Sequence, residues 1–118
     1  MGLDTSHGAW HGAYSAFNTW RTEIAKTIGI TLKEMQGFGG SIEWDNSHPL
    51  TPLLAHSDCD GELSAADCLI TANALEHILK LYVDKDFSGH IGSFREKTQQ
   101  FINGCMLAHN ANEPLEFH

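Results

Sequence analysis

The chain has 118 residues, enough for a single domain with a substantial core, and 42% of them are hydrophobic. Fifteen acidic against seven basic side chains give a formal net charge of −8, which disfavours a nucleic-acid partner and favours cations or basic partners. Three cysteines without CxxC spacing exclude a disulfide framework and a zinc ribbon. No signal-like start or membrane-length apolar run is present, so we expect a cytoplasmic protein without a membrane partner, with residues 1–118 in one domain.

The first half of the chain predicts one clear helix between less regular segments. Residues 1–13 show little periodicity and are expected to be irregular. A helix is predicted from about Tyr14, with Gly29 as its C-cap, because apolar residues then recur at helical spacing. These residues are Phe17, Trp20, Ile24 and Ile28. Residues 31–34 have a capping-box pattern that predicts a short helix ended by Gly37, and residues 42–44 alternate as a short strand.

The second half predicts two long helices. Pro49 and Pro52 leave room for only a turn or two of helix before His56. Apolar stripes then predict helices over about 65–82 and 93–111. Residues 115–117 alternate as a strand that would pair with residues 42–44. The predicted fold is mainly α, a compact bundle of three to four helices with room for a short two-stranded β element.

The strongest functional pattern is the segment HSDCDGELSAAD at residues 56–67, which we call the acidic loop and which resembles the calcium loop of an EF-hand. With Gly61 at the sixth position, successive ligand positions are filled by His56, Asp58, Asp60, the Glu62 carbonyl, Ser64 and Asp67. Leu63 at the eighth position is expected to point into the core. The resemblance covers only twelve residues, and the preceding prolines exclude the usual incoming helix.

Two departures from the calcium pattern leave the identity of the ion open. His56 stands where an aspartate is expected, and Asp67 is one methylene shorter than the usual glutamate. Because imidazole suits zinc better than calcium, Zn²⁺ or Mn²⁺ is the alternative to Ca²⁺. The segment is also typical of a tight turn into a capped helix, with Gly61 in the turn and Ser64 and Asp67 as an approximate capping box.

A second hypothesis is a metal-dependent hydrolase. His7 and His11 lie four residues apart, and His48 and His56 flank the proline segment. If the N-terminal segment folds over the acidic loop, these histidines would add nitrogen ligands to a zinc, manganese or iron site. No complete HExxH, GxSxG or Walker-type motif accompanies them, so the sequence does not establish that the protein is an enzyme.

A third hypothesis is an adaptor that binds a protein or small-molecule ligand without catalysis. Trp10, Tyr14 and Trp44 would form its recognition surface, and the acidic loop would be only a turn. Glu43 and Asp45 beside such a surface favour a basic partner.

Four further pieces of sequence bear a wider resemblance. Residues 7–17 (HGAWHGAYSAF), 56–62 (HSDCDGE), 101–105 (FINGC) and 113–117 (EPLEF) are similar to a family of small uncharacterised bacterial and phage proteins. This resemblance implies a bacterial or phage cytoplasm and carries no activity with it. The first hypothesis is therefore a small helical protein that binds a divalent cation at residues 56–67.

Overall fold

The computed structural model describes residues 2–45, 47–56, 61–81 and 94–118. These ranges contain helices α1 (Tyr14–Thr27), α2 (Thr51–Leu54), α3 (Ala65–Leu81) and α4 (Phe94–Asn110). They also contain four short strands, β1 (Gly2–Asp4), β2 (His11–Ala13), β3 (Glu62–Leu63) and β4 (Leu115–Glu116). The prediction of a mainly α fold with a minor β component is confirmed. None of the helices in these ranges has the length and apolar character of a membrane-spanning segment.

Helix α1 begins and ends where its sequence predicts. Its apolar stripe is completely buried at Phe17, Trp20 and Ile24. Gly29 follows the helix with a φ of 82° and donates its N–H to the Lys26 carbonyl at 3.1 Å. A left-handed residue after the last turn is the conformation that glycine adopts without a steric penalty, so Gly29 ends the helix.

Helices α3 and α4 form the most extensive contact between elements in the described part of the chain. Leu75 on α3 and Phe101 and Cys105 on α4 are fully buried there. On α4, a Cβ added to Gly104 would lie 2.4 Å from the Cβ of Ala9, so this glycine lets the N-terminal turn approach the helix closely. The broad apolar stripe of α3 is thus covered mainly by α4.

An aromatic cluster joins α1, α4 and both chain ends. Its members are Trp10, Phe17, Trp20, Phe101 and Phe117. The rings of Trp20 and Phe101 are 4.9 Å apart, and the Trp20 indole N–H donates to Thr98 Oγ1 at 2.9 Å. Because a buried indole N–H needs an acceptor, this hydrogen bond fixes the ring orientation in the core.

The prediction of an irregular N-terminus is wrong, because residues 2–13 form a β-hairpin. Strand β1 pairs antiparallel with β2, and Thr5 closes the turn by accepting the Trp10 N–H on Oγ1 at 3.0 Å. Within the turn, His7 has a φ of 59° and Gly8 a φ of 67°. A histidine at positive φ is uncommon, so the sequence carries little sign of this turn.

The strand at the C-terminus is confirmed, but its predicted partner is wrong. Strand β4 pairs antiparallel with β3, with Leu63 opposite Leu115, rather than with residues 42–44. Asp4 and His118 also exchange two backbone hydrogen bonds of 2.8 Å, which connect the N-terminal hairpin to β4. Both ends of the chain therefore lie beside the exit of the acidic loop.

Residues 31–44 are less regular than predicted. Only Leu32–Glu34 are helical, as one 3₁₀ turn, and Thr31 makes no side-chain cap. The following segment folds back on itself, because Gln36 donates its N–H to Ile42 O at 2.8 Å. Ile42 thereby forms an isolated parallel bridge with Met35, and its backbone is used locally rather than by β4.

Candidate functional site

The exit half of the acidic loop has the backbone that its sequence predicts. Gly61 has a φ of 92°, and a Cβ there would lie 3.2 Å from Cε1 of His56. Leu63 is 2% exposed, and Ser64 Oγ caps α3 by accepting the Asp67 N–H at 3.1 Å. The sharp turn, the buried apolar residue and the helix start occupy the positions that a calcium loop gives them. A turn into a capped helix has the same features.

The first and seventh positions of this loop meet. His56 Nε2 lies 3.0 Å from the Glu62 carbonyl oxygen, and the imidazole ring stacks on Phe117 with centroids 4.1 Å apart. Gly61 O accepts the Phe117 N–H at 2.9 Å, so the next carbonyl, that of Glu62, faces away from β4. The contact with Glu62 requires a proton on Nε2, since both groups cannot be acceptors.

Of the six ligands predicted within the loop, the structure describes four. The described ones are His56, Glu62, Ser64 and Asp67, whereas Asp58 and Asp60 lie outside the described residues. The Glu62 side chain is exposed, and that of Asp67 is partly exposed. Within the ranges given above, no three His, Cys, Asp or Glu side chains are grouped as ligands of one metal ion.

Arg21 supports the entry of the loop and was not predicted from the sequence. Its side chain is 1% exposed, and one terminal nitrogen donates to the carbonyls of Leu54 at 3.3 Å and His56 at 2.5 Å. The guanidinium carbon lies 4.6 Å from the ring centre of Phe17 and 5.2 Å from that of Phe38. Arg21 therefore satisfies carbonyls that the end of α2 leaves without helical partners.

Arg21 also lines a cavity of about 270 Å³, which we call the arginine recess. Its lining comprises Asn18, Arg21, Gln36, Gly37, Phe38, Ala55 and His56. A signal for Arg21 was present in the sequence, since it falls four residues after Phe17 and three before Ile24, inside the apolar stripe of α1. A charged residue at such a position is buried with partners more often than its type alone indicates.

The three other histidines of the predicted sites, His7, His11 and His48, each have a different partner. His7 Nε2 lies 3.2 Å from a carboxylate oxygen of Glu113, and His11 Nδ1 contacts the carboxylate of Asp4. His48 Nδ1 accepts the Leu50 N–H at 3.1 Å. These contacts lie in the turn of the hairpin, at the strand pair next to that turn and at the start of α2, so the three histidines do not share a partner.

Cys68 and Cys105 face each other between α3 and α4, and both are free thiols. The hydrogen bond to Cys68 and burial raise the pKa of the Cys105 thiol. Since the thiolate is the nucleophilic form, this thiol has the character of a core residue.

The predicted recognition surface is changed by the burial of Trp10. This residue is 1% exposed in the aromatic cluster, whereas Tyr14 and Trp44 are half-buried. Trp44 lines a different feature, a cavity of about 390 Å³ next to the end of α1.

Comparisons of the chain with protein-family models, curated proteins and solved structures found no match.

Proposed function

We propose that the protein binds one divalent cation in the loop at residues 56–67, with Ca²⁺ as the ion and Zn²⁺ or Mn²⁺ as the alternative. The observation that carries this proposal is the 3.0 Å distance between His56 Nε2 and the Glu62 carbonyl oxygen. In a calcium loop the residues at positions one and seven must approach a common centre. The positive φ of Gly61 and the buried side chain of Leu63 support the same loop path.

The proposed ligands are oxygen atoms, as calcium prefers. They are the carboxylates of Asp58, Asp60 and Asp67, the Glu62 carbonyl and the Ser64 hydroxyl. Like-charged carboxylates in one short loop repel each other, and a cation between them removes that repulsion. With a histidine at position one, the expected dissociation constant for calcium is weak, about 10⁻⁴ to 10⁻³ M.

His56 distinguishes the candidate ions. In the described conformation its Nε2–H donates to Glu62 O, and that carbonyl keeps a second lone pair for a hard cation such as Ca²⁺. A zinc ion held by Nε2 would instead require loss of this proton and of the hydrogen bond. Replacing His56 with glutamine should therefore leave calcium binding nearly unchanged and weaken zinc binding strongly.

The role we propose for the ion is structural. It would fix the turn that connects α2 to α3 and would hold β3 in place beside β4. His7, His11 and His48 engage three different partners, which favours a structural role over a hydrolytic one. We further propose a bacterial or phage cytoplasm as the location, on the strength of the sequence resemblance.

Thermal unfolding of the full chain tests the proposal. Calcium at about 100 times its dissociation constant should stabilise the wild type by about 2.7 kcal/mol. Asp60→Ala should remove this gain, because it deletes a proposed ligand oxygen. Glu62→Ala is the matched control and should retain it, because only the Glu62 backbone carbonyl is proposed to bind. If no divalent ion stabilises the wild type, the proposal is wrong.

A further inference from the structure

A second recess lies between the end of α1 and the start of α2, and we call it the acidic cleft. It has a volume of about 390 Å³. Its apolar part is formed by Ile30, Met35, Ile42 and Trp44. Ile42 is 51% exposed, although it is a large aliphatic side chain. Such a cleft is large enough for one or two side chains and is too small for a folded domain.

The charged groups at this cleft are predominantly acidic. Glu34, Glu43 and Asp45 line it together with His48, and its described lining residues include no lysine or arginine. Hydrogen bonds from the Ser47 hydroxyl at 2.6 Å and the Ser47 N–H at 3.0 Å hold the Asp45 carboxylate in place. Three carboxylates beside an exposed isoleucine favour a cationic group that also carries apolar surface.

The aromatic wall of the cleft is ordered before any ligand binds. The Trp44 indole N–H donates to Gln36 O at 2.9 Å, and Phe38 packs edge-on to Trp44 with centroids 6.0 Å apart. The backbone bonds between residues 36 and 42 close the segment that carries Ile42. A preformed wall reduces the entropy lost on binding, and the face of Trp44 can attract a cation.

We propose that the acidic cleft docks a short segment of a partner protein that carries an aliphatic side chain next to an arginine or lysine. The aliphatic group would cover Ile42 and Trp44, and the cation would lie among Glu34, Glu43 and Asp45. A second copy of this chain is a poorer occupant, because each copy has a net charge of −8. This site shares no residue with the loop at 56–67 and is independent of cation binding there.

The test is a selection of random heptapeptides displayed on phage, with the folded full chain as bait. The wild type is compared with two cleft variants, Ile42→Ser and the double variant Glu34→Gln with Glu43→Gln. The matched controls are Ile70→Ser and Glu76→Gln, which change an exposed isoleucine and an exposed glutamate on α3, away from the cleft. Circular dichroism confirms that every bait is folded.

The proposal requires enrichment of peptides that pair arginine or lysine with leucine, isoleucine or an aromatic residue. Synthetic versions should bind both cleft variants at least about tenfold more weakly than the wild type, and both controls equally well. Peptide binding should also change the tryptophan fluorescence of the chain. The change can be assigned to Trp44, because Trp10 and Trp20 are buried in the core.

Three results would overturn it. The first is a selection that enriches no basic peptide, and the second is equal binding to wild type and Ile42→Ser. The third is a self-associated chain in sedimentation experiments that Ile42→Ser converts to a monomer, because the cleft would then be an interface between two copies.

Discussion

The arginine recess and the acidic cleft are both lined by the segment of residues 35–42, which forms the wall they share. The recess contains a buried cation, whereas the cleft carries exposed carboxylates. Gln36 and Phe38 line the first, and Met35 and Ile42, from the same folded-back segment, line the second. The cation of the arginine recess is buried and hydrogen-bonded to backbone carbonyls, whereas the carboxylates of the cleft are exposed. A buried charge must be satisfied within the fold, while exposed charges remain available to a partner. We therefore expect substitutions in the recess to change the stability of the fold and substitutions in the cleft to change binding of the partner segment.

Removing the buried cation should have the largest effect on stability. Arg21→Met should lower the free energy of unfolding by about 3 kcal/mol, because the buried Leu54 carbonyl and the partly buried His56 carbonyl would lose their donor. Urea denaturation measures this change. Lys26→Met is the matched control on α1, where the lysine is 62% exposed and its Nζ lies 3.6 Å from a carboxylate oxygen of Glu23. Its effect should stay below about 0.5 kcal/mol, and an equal loss in both variants would contradict the account.

Distorting the shared wall should have the next largest effect. A Cβ on Gly40 would lie 1.9 Å from the Glu34 carbonyl oxygen, so Gly40→Ala must displace backbone. We expect a loss of about 2 kcal/mol in urea denaturation, together with a shifted Trp44 fluorescence maximum. In Gly12→Ala the nearest atom to the added Cβ, Trp10 Nε1, is 3.5 Å away, and the loss should be less than about 0.5 kcal/mol. A Gly40→Ala chain of unchanged stability would disprove the packing of this wall.

The smallest effect concerns the titration of Asp45. The hydrogen bonds from Ser47 hold the pKa of this carboxyl below its usual value of 3.8. Because the folded-state pKa is depressed, the associated stability is present above the unfolded-state pKa and is lost as pH falls through the lower, folded-state value.

Carbon-13 NMR of the carboxyl groups measures the Asp45 midpoint directly. In Ser47→Ala the midpoint should rise towards 3.8, whereas in Ser41→Ala it should not move. Identical midpoints in wild type and Ser47→Ala would show that Ser47 does not hold the carboxylate.

Local patterns predicted the helices well, because burial of one face imposes a 3.6-residue period on the sequence. The stripe from Phe17 to Ile24 and the C-cap at Gly29 place α1 correctly, and Leu63 and Ser64 take their predicted positions. The pairing of β4 with β3 was missed, because it joins residues more than 50 positions apart and depends on where the chain ends meet. The N-terminal hairpin was missed because its turn places His7 at positive φ, a conformation that a histidine does not signal in the sequence.

Local sequence predicted the backbone of the loop's exit half better than it predicted the side-chain contacts that hold the loop. The turn at Gly61 and the cap at Ser64 follow from local chemistry. The stacking of His56 on Phe117 is a tertiary contact that no local pattern encodes. The position of Arg21 in the apolar stripe of α1 indicated that it is buried, but not which carbonyls it contacts. A charged side chain is usually assigned to the surface, and Arg21 departs from that rule because α2 supplies carbonyls for it.

Titration of the ¹⁵N-labelled chain with calcium chloride, followed by two-dimensional NMR, tests cation binding most directly. It compares the acidic loop and the acidic cleft in one experiment. The amide signals of residues 56–67 report binding in the loop, and the Trp44 indole signal reports binding in the cleft. If the loop binds one cation, Gly61 and its loop neighbours should show shifts that saturate at one ion per chain, with the Trp44 indole signal unchanged. Shifts confined to the cleft, or no saturable shift in the loop with Ca²⁺, Mn²⁺ or Zn²⁺, would contradict cation binding in the loop.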